Sequence, residues 1–409
     1  MATCTTSSRA TCSRSRRSCR STSGSRAGSA PPPVRGRSPT CHAKRAPTST
    51  GSSSSSRRRS PTCPSGPGET RSLDCDLLVV GAGPCGLAAA ISAQRAGLTA
   101  RVLDAGPVVS TITQYPYYVS FFSTAEKLSL GGVPFVVPGE KPTRRDALAY
   151  YRAITRHFAL DVHQYERVTA VERAEGGLVV HSETLEGVRS RTRARAVCVA
   201  TGYFGSPNRL GVPGETLPHV THVYREGHPA FDQDVVVVGG GNSAAEATLD
   251  LWRAGARPTL VHFGPTFDKR IKPWVLPDLQ NRMTEGAIAA RWNSRVTAIE
   301  PGLVTINGPQ GDERLVARFV YVMTGFAPNT DLLREAGVPI DPVTGIPAHD
   351  PDTLETTVPG LFIAGVVVAG FDANKVFIEN GRFHGDRIVA RLLGRPVPAP
   401  PRLSAELDT

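Results

Sequence analysis

The sequence predicts an α/β protein with two Rossmann-like dinucleotide-binding domains, the first of which is split by insertion of the second. Three observations lead to this prediction. A strand, a glycine-rich loop, a helix and a second strand follow one another at residues 75–104, and the same order returns at 234–263. A strand followed by a glycine-rich turn near the C-terminus then supplies the part that would complete the first domain.

The first glycine-rich loop has the spacing of a phosphate-binding turn. Gly81 permits a tight turn, Gly83 lets a pyrophosphate approach the backbone, and Gly86 lets helix and strand pack closely. The free N–H groups at the helix start, next to Pro84, favour phosphate. Asp104, 23 residues after Gly81, would accept hydrogen bonds from a ribose. We expect all five residues to bind a dinucleotide.

The second loop repeats the pattern with alanine in the last position. Gly239, Gly241 and Ala244 follow an apolar strand, and Asn242 and Ser243 stand at the start of the helix. Two such units in one chain indicate two dinucleotides, FAD in the first and NADH or NADPH in the second. The alternative is a duplicated domain that binds a single nucleotide.

The choice between NADPH and NADH depends on the end of the second strand. His262 follows Gly239 by 23 residues and so holds the place that Asp104 holds in the first unit. A carboxylate there would repel a 2′-phosphate, so its absence favours NADPH, as do the nearby basic residues Lys269, Arg270 and Lys272. The alternative is that these bases form a solvated surface loop.

Three further segments end in glycines suited to turns beside a cofactor. Thr201 and Gly202 end one apolar strand, Gly325 ends another, and Gly365 follows a third strand near the C-terminus. A helix after Gly365 would direct its positive end at a flavin ring. The expected division of the chain is a tail 1–73, an FAD domain 74–222 and 327–395, an NADPH domain 223–326, and a C-terminal tail 396–409.

The formal net charge of +11 comes from the N-terminal tail. Of the 47 basic residues thirteen lie in residues 1–68, which have no acid, and this leaves 34 bases against all 36 acids in the rest. We expect this Ser- and Arg-rich stretch to be disordered and dispensable. It would be a wrongly assigned start, a transit peptide or a nucleic-acid-binding arm. Because the rest of the chain is nearly neutral, we expect no nucleic-acid partner. We also expect no membrane span, because no apolar run is long enough to form one.

An aromatic stretch at 115–135 would line the flavin. Phe121 and Phe122 would form an apolar wall, Ser123 would donate or accept a hydrogen bond, and Lys127 would neutralise phosphate or flavin charge. The alternative for the stretch is a structural loop packed on the sheet, and the alternative for Lys127 is an exposed lysine without a cofactor contact.

Eight cysteines are present, and five of them lie in the tail. The body keeps Cys75, Cys85 and Cys198, without a CxxC pair or metal-ligand spacing, which indicates a reduced, cytoplasmic protein without a metal. Cys85 lies inside the first loop. Either it is a catalytic thiol, activated by the helix start and opposed by the pyrophosphate charge, or it is a small packing residue.

Beyond these motifs, the chain resembles the low-molecular-weight thioredoxin reductases and, in detail, the YpdA family of bacillithiol disulfide reductases. The resemblance spans about 75–393. Its stretches are GAGPCGLAAA, YPYYVSFFSTAEKLSLGGVPF, HPAFDQDVVVVGGGNSA, IKPWVLPDL and GFDANKVFIENGRFHG. It implies a homodimer that uses FAD and NADPH to reduce bacillithiol disulfide, a small-molecule substrate. The chain departs from the pattern in having Gly-Val at 365–366 and no base at 263–265.

Two other enzyme classes remain open. A ferredoxin or flavodoxin NADPH reductase on this fold would need no thiol. A flavin-containing monooxygenase would also have two glycine loops, but its FxGxxxH linker motif is absent from the sequence.

Overall fold

The computed structural model describes residues 73–269 and 271–399. The predictions made for the tail at 1–72, for Arg270 and for the chain from residue 400 onwards lie outside these ranges.

A seven-stranded mixed sheet forms the first layer of the structure. Its parallel part has the order β3-β2-β1-β6-β17, and β5 and β4 continue from β6 as an antiparallel meander. The strands are β1 (Cys75–Val80), β2 (Ala100–Asp104), β3 (Asp161–Gln164), β4 (Glu166–Ala174), β5 (Gly177–Thr184), β6 (Arg189–Val199) and β17 (Leu361–Ile363). Helices pack on the parallel part, so β1 and β17 are buried almost throughout.

Small residues bring two helices of this layer into close contact. Helix α1 (Pro84–Arg95) packs against α8 (His384–Leu392) through Ala89, whose Cα would lie 2.5 Å from any Cβ added at Gly385. Helix α8 is therefore held against the helix that follows the first glycine loop. The other helices beside this sheet are α2 (Ser110–Thr113), α3 (Arg144–His157), α6 (Asp331–Glu335) and α7 (Ile378–Gly381).

The segment expected to form one C-terminal helix is divided in the structure. A 3-10 turn at Gly365–Ala369 comes first, then the single turn α7, and then α8. Gly381 ends α7 and Gly385 lies in the first turn of α8, and glycine lowers the stability of a continuous helix.

A second, parallel sheet has the order β11-β10-β9-β15-β8. Its strands are β8 (Val220–Thr221), β9 (Asp234–Val238), β10 (Arg257–Val261), β11 (Ala289–Arg291) and β15 (Phe319–Val322). Helices α4 (Asn242–Arg253) and α5 (Leu276–Thr284) accompany it. An antiparallel sheet of β12 (Arg295–Glu300), β13 (Gly302–Gly308) and β14 (Gly311–Ala317) lies on its other side, sharing a core with it.

The chain passes from the first sheet to the second and back through one two-stranded ribbon. Strand β7 (Ser206–Pro207) pairs antiparallel with β16 (Phe326–Ala327). Asn208 accepts a hydrogen bond at its carbonyl oxygen from Thr324 Oγ1 at 2.6 Å, and its backbone N–H donates to the carbonyl oxygen of Gly325 at 3.0 Å. The two crossings are thus joined to each other. Among the described residues, no helix is both long and apolar enough to cross a membrane.

Candidate functional site

The first glycine loop has the geometry that its sequence predicts. Gly81 has φ of +112°, and a Cβ there would lie 2.5 Å from the carbonyl oxygen of Ala200. A Cβ at Gly86 would overlap the carbonyl oxygen of Gly81. The space around Gly83 is open, with no atom within 4 Å of an added Cβ. A pyrophosphate would fit against this bare backbone.

The start of helix α1 faces the same space. Gly83 is the N-cap and has no side chain to satisfy the first N–H groups, while Pro84 at the first helical position contributes none. The remaining N–H groups and the positive end of the helix therefore suit a phosphate anion.

Asp104 holds this loop in place. Its Oδ2 accepts a hydrogen bond from the Ala82 N–H at 2.6 Å, and its Oδ1 accepts one from the Gly106 N–H at 2.7 Å. Burial raises the pKa of Asp104 above its usual value, and these two backbone hydrogen bonds act in the opposite direction. Each carboxylate oxygen has a second lone pair, which is available to a ribose hydroxyl.

The sulfur of Cys85 lies in a notch between two glycines of the C-terminal segment. An added Cβ would lie 3.2 Å from Cys85 Sγ at Gly365, which also has φ of +72°, and 2.7 Å at Gly381, so both glycines leave room for the Cys85 side chain. Burial raises the pKa of the Cys85 thiol to about 12. The resting group is therefore a thiol at neutral pH.

The other two described cysteines lie in strands of the first sheet. Cys75 and Cys198 are buried, and burial raises the pKa of each thiol, to about 11 for Cys75. Both behave as apolar core residues, and all three cysteines are free of disulfides.

A buried carboxylate lies opposite the aromatic stretch. Glu379 is only 4% exposed, and its Oε1 accepts a hydrogen bond from Ser123 Oγ at 3.1 Å. Within the described part of the chain its Oε2 has no hydrogen-bond partner. An acceptor left in this state costs free energy unless a ligand donates to it, and the imide N–H or a ribityl hydroxyl of a flavin would do so.

Lys127 belongs to the 3-10 turn Glu126–Leu128, next to Glu379's helix. Arg382 Nη1 donates to the carbonyl oxygens of Glu126 at 2.9 Å and Ser129 at 2.6 Å, which ties this turn to the C-terminal segment. The sequence analysis predicted roles for Ser123 and Lys127 but assigned none to Glu379, which lies 256 residues from Ser123, inside the stretch GFDANKVFIENGRFHG that carries the family resemblance.

His384 fixes the backbone beside Cys85. Its Nδ1 accepts a hydrogen bond from the Gly365 N–H at 3.1 Å. Burial, together with the charges of Arg387 and His349, lowers the pKa of His384 to about 4, so the ring is neutral at pH 7. A cavity of 280 Å³ is lined by both histidines and by Asn380, among other side chains.

The second glycine loop also has the expected backbone, with different neighbours. Gly239 has φ of +146°, and an added Cβ would contact Ala244 Cβ at 3.1 Å. An added Cβ at Gly241 would lie 3.4 Å from Asp268 Oδ2. Asn242 Oδ1 accepts the Lys272 N–H at 2.8 Å, so the segment after β10 lies over the start of α4. Ser243 is exposed in the first turn of that helix.

His262 is buried beneath this loop. Its ring would lie 2.5 Å from a Cβ added at Gly240, measured to Nδ1, and 2.8 Å from one added at Gly264, measured to Nε2. Burial lowers the pKa of His262, and its Nε2 is 3.9 Å from Asp268 Oδ1. The ring therefore packs against the backbone of this loop, and a contact of His262 with the nucleotide stays a prediction.

Lys272 points toward the first sheet's aromatic stretch. Its Nζ lies 5.1 Å from the ring centroid of Phe122 and 5.8 Å from that of Trp274. The two rings contact each other edge to face, with centroids 5.8 Å apart. Phe122, expected to line a flavin, thus contacts the segment that follows β10. Lys269 is exposed.

The remaining predicted residues lie at the crossings between the sheets. Thr201 and Gly202 follow β6, with φ of +78° at Gly202, and Gly325, with φ of +83°, precedes β16. The assignment of all these side chains to cofactors stays a prediction.

Comparison with known proteins agrees with this geometry. The family described as pyridine nucleotide-disulphide oxidoreductase matches residues 78–365. The bacilliredoxin reductase Bdr of Bacillus subtilis is 41% identical over 322 residues, which cover 78% of this chain and 97% of that protein. The structure of the bacillithiol disulfide reductase Bdr (YpdA) from Bacillus cereus is also 41% identical, has a TM-score of 0.77, and matches over 79% of this chain and 99% of that one.

A more distant structure, thioredoxin reductase from T. acidophilum, has the same fold. It is 21% identical with a TM-score of 0.60, over 78% of this chain and 98% of that one. The predicted fold class and the predicted resemblance are both confirmed. The chain belongs to the pyridine nucleotide-disulphide oxidoreductases, in the branch that contains Bdr (YpdA), and is an oxidoreductase that uses a flavin and a pyridine nucleotide.

Proposed function

We propose that this protein uses NADPH and FAD to reduce a low-molecular-weight thiol disulfide, with bacillithiol disulfide as its substrate. The observation that supports this most is the 41% identity to Bdr (YpdA) over nearly the whole of that structure, together with a single cysteine in the first loop. Residues 74–222 and 327–395 would form the FAD domain, and 223–326 the NADPH domain.

When bound, FAD supplies the two-electron chemistry between NADPH and the disulfide. The chain supplies binding and orientation. The backbone at Gly83 and the start of α1 bind the FAD phosphates, and Asp104 accepts hydrogen bonds from its ribose. Glu379 Oε2, which has no hydrogen-bond partner among the described residues, would accept a hydrogen bond from the flavin ring or its ribityl chain. The loop at Gly239–Gly241 binds the phosphates of NADPH.

Cys85 is the proposed nucleophile toward the substrate. As a thiolate it would attack one sulfur of the disulfide, so that a mixed disulfide forms and one substrate thiolate leaves. Because its resting form is a thiol, this step requires a base to remove the proton first. The competing role is packing, since the notch between Gly365 and Gly381 admits only a small side chain at position 85.

Replacement of Cys85 separates these roles. In Cys85→Ala, retained FAD and NADPH-dependent flavin reduction with loss of disulfide turnover would identify chemistry at the sulfur. Full turnover in this variant would identify packing. Cys198→Ala is the matched control, because it removes a buried thiol from the neighbouring strand β6 and leaves the sequence of the loop unchanged.

The substrate is tested by a stopped-flow screen of the NADPH-reduced enzyme. The acceptors are bacillithiol disulfide, a bacilliredoxin disulfide, glutathione disulfide, thioredoxin, ferredoxin and oxygen. We expect the fastest flavin reoxidation with bacillithiol disulfide. Faster reoxidation by the bacilliredoxin or by ferredoxin would contradict the proposed substrate, and accumulation of an oxygen adduct of the flavin would indicate a monooxygenase.

A further inference from the structure

The carboxyl edge of the second sheet brings two separate chain segments together. The His262 N–H donates to the carbonyl oxygen of Arg291 at 2.9 Å, and the Ser294 N–H donates to the carbonyl oxygen of His262 at 3.0 Å. These bonds place the turn after β11 beside the end of β10. In folds of this kind the ribose of the adenosine half lies at the end of the second strand.

Arg295 is the residue that follows this turn. Its guanidinium carbon lies 4.8 Å from the ring centroid of Phe263, and the Phe263 ring lies 4.6 Å from that of His262. Phe263 is 61% exposed, and Arg295 is exposed as well. Among the described residues, no carboxylate lies within ion-pair distance of Arg295. Asp268, the acid near His262, faces the backbone of Gly241 instead.

This arrangement suits Arg295 for binding an anion. Stacking on an aromatic ring fixes the plane of the guanidinium and leaves its N–H edges free, and such a fork matches phosphate oxygens in pairs. The residues directly after β10, Phe263 to Pro265, include no base. A cation for a 2′-phosphate would therefore come from another segment. Besides the predicted Lys269, Arg270 and Lys272, Arg295 is a base that the structure places against Phe263 at the end of β10.

We propose that Arg295 binds the 2′-phosphate of NADPH and that Phe263 orients it. The inference rests on the proposed use of NADPH and names the residue that selects it. Sequence reasoning missed Arg295 because 32 positions separate it from Phe263 along the chain and no motif links the two.

The test measures binding without turnover. Calorimetry on the full-length, FAD-loaded protein would compare adenosine 2′,5′-bisphosphate with adenosine 5′-monophosphate. We expect wild type to bind the bisphosphate more tightly, and Arg295→Gln to lower that preference by about tenfold or more, since charge-assisted hydrogen bonds to the 2′-phosphate are lost. Affinity for the monophosphate should not change, and Arg295→Lys should restore part of the preference.

The control is Arg318→Gln. Arg318 is also exposed and stacked on an aromatic ring, with its guanidinium carbon 5.9 Å from the centroid of Phe319, but it precedes β15 at the amino edge of the sheet. An unchanged preference in Arg295→Gln, or an equal loss in Arg318→Gln, would overturn the role of Arg295 while leaving NADPH use intact. A wild-type protein without any preference for the bisphosphate would overturn NADPH selection itself.

Discussion

The two glycine loops of this protein have the same backbone and opposite surroundings. Below the first, the carboxylate of Asp104 accepts a hydrogen bond from the Ala82 N–H of the loop, and the space at Gly83 is open. Below the second, the imidazole of His262 is packed under Gly240, and the carboxylate of Asp268 lies above, near Gly241. The glycine spacing therefore specifies the turn. The residue 23 positions after the first glycine, Asp104 or His262, determines which side chain contacts the backbone of that turn.

The largest effect should come from a methyl group at the tightest point of the first loop. Gly86→Ala would overlap the Gly81 carbonyl, so we expect a loss of about 3 kcal/mol or more in the free energy of unfolding, with loss of flavin. In the second loop, Gly241→Ala meets only Asp268 Oδ2 at 3.4 Å and should cost less than about 1 kcal/mol. Urea unfolding and flavin absorbance measure both. Equal losses of unfolding free energy in the two variants would contradict the proposed difference between the loops.

The free energy of unfolding should also depend on pH through His384, which bonds to the backbone of Gly365 beside the first loop. Its pKa is 6.5 in a model compound and about 4 in the fold, so the unfolded chain takes up a proton that the folded chain excludes. Stability is full above pH 6.5 and falls as the pH decreases toward 4, by up to about 3 kcal/mol.

His384→Asn is the matching variant, because its Oδ1 can still accept the Gly365 N–H without titrating. Unfolding free energies measured from pH 4 to pH 7.5 should have a shallower slope in this variant. An unchanged slope would show that other groups govern acid sensitivity.

Glu379→Gln should change both the stability of the flavin-free protein and its affinity for flavin. Removal of an incompletely paired buried charge should raise the melting temperature of the flavin-free protein. The same change should weaken flavin binding by about tenfold, since a charged acceptor is lost. Ser123→Ala, which removes the donor to Oε1, is the control and should lower the stability of both forms. Tighter flavin binding in Glu379→Gln would exclude the proposed contact.

The smallest effect should be a shift in nucleotide preference at the second loop. His262→Asp places a carboxylate beneath Gly240, and we expect the ratio of kcat/KM for NADPH to that for NADH to fall by about threefold to tenfold through like-charge repulsion. His262→Asn changes the shape without adding charge and should leave the ratio near that of wild type. Equal values of kcat/KM for both nucleotides in wild type would refute the preference itself.

What the sequence predicted well is local. The positive φ values at Gly81 and Gly239 and the close approach at Gly86 depend on residues within one strand–turn–helix unit, so their spacing is visible in the chain. The groups around the loops are not local. Glu379 meets Ser123 across 256 positions, and the pKa of Cys85 depends on burial by the C-terminal segment. Long-range packing of this kind leaves no periodic signal.

The ribbon of β7 and β16 has a consequence for how this chain is assembled. Because Asn208 bonds to both Thr324 and Gly325, the segment between them begins and ends at almost the same point in space. A segment with adjoining ends can be removed and replaced by a tight turn without stretching the host. We therefore expect that residues 209–323 can be exchanged as one unit. The remaining chain, closed by a short Gly-Asn turn, should fold alone, and it should accept a different inserted domain at the same two positions.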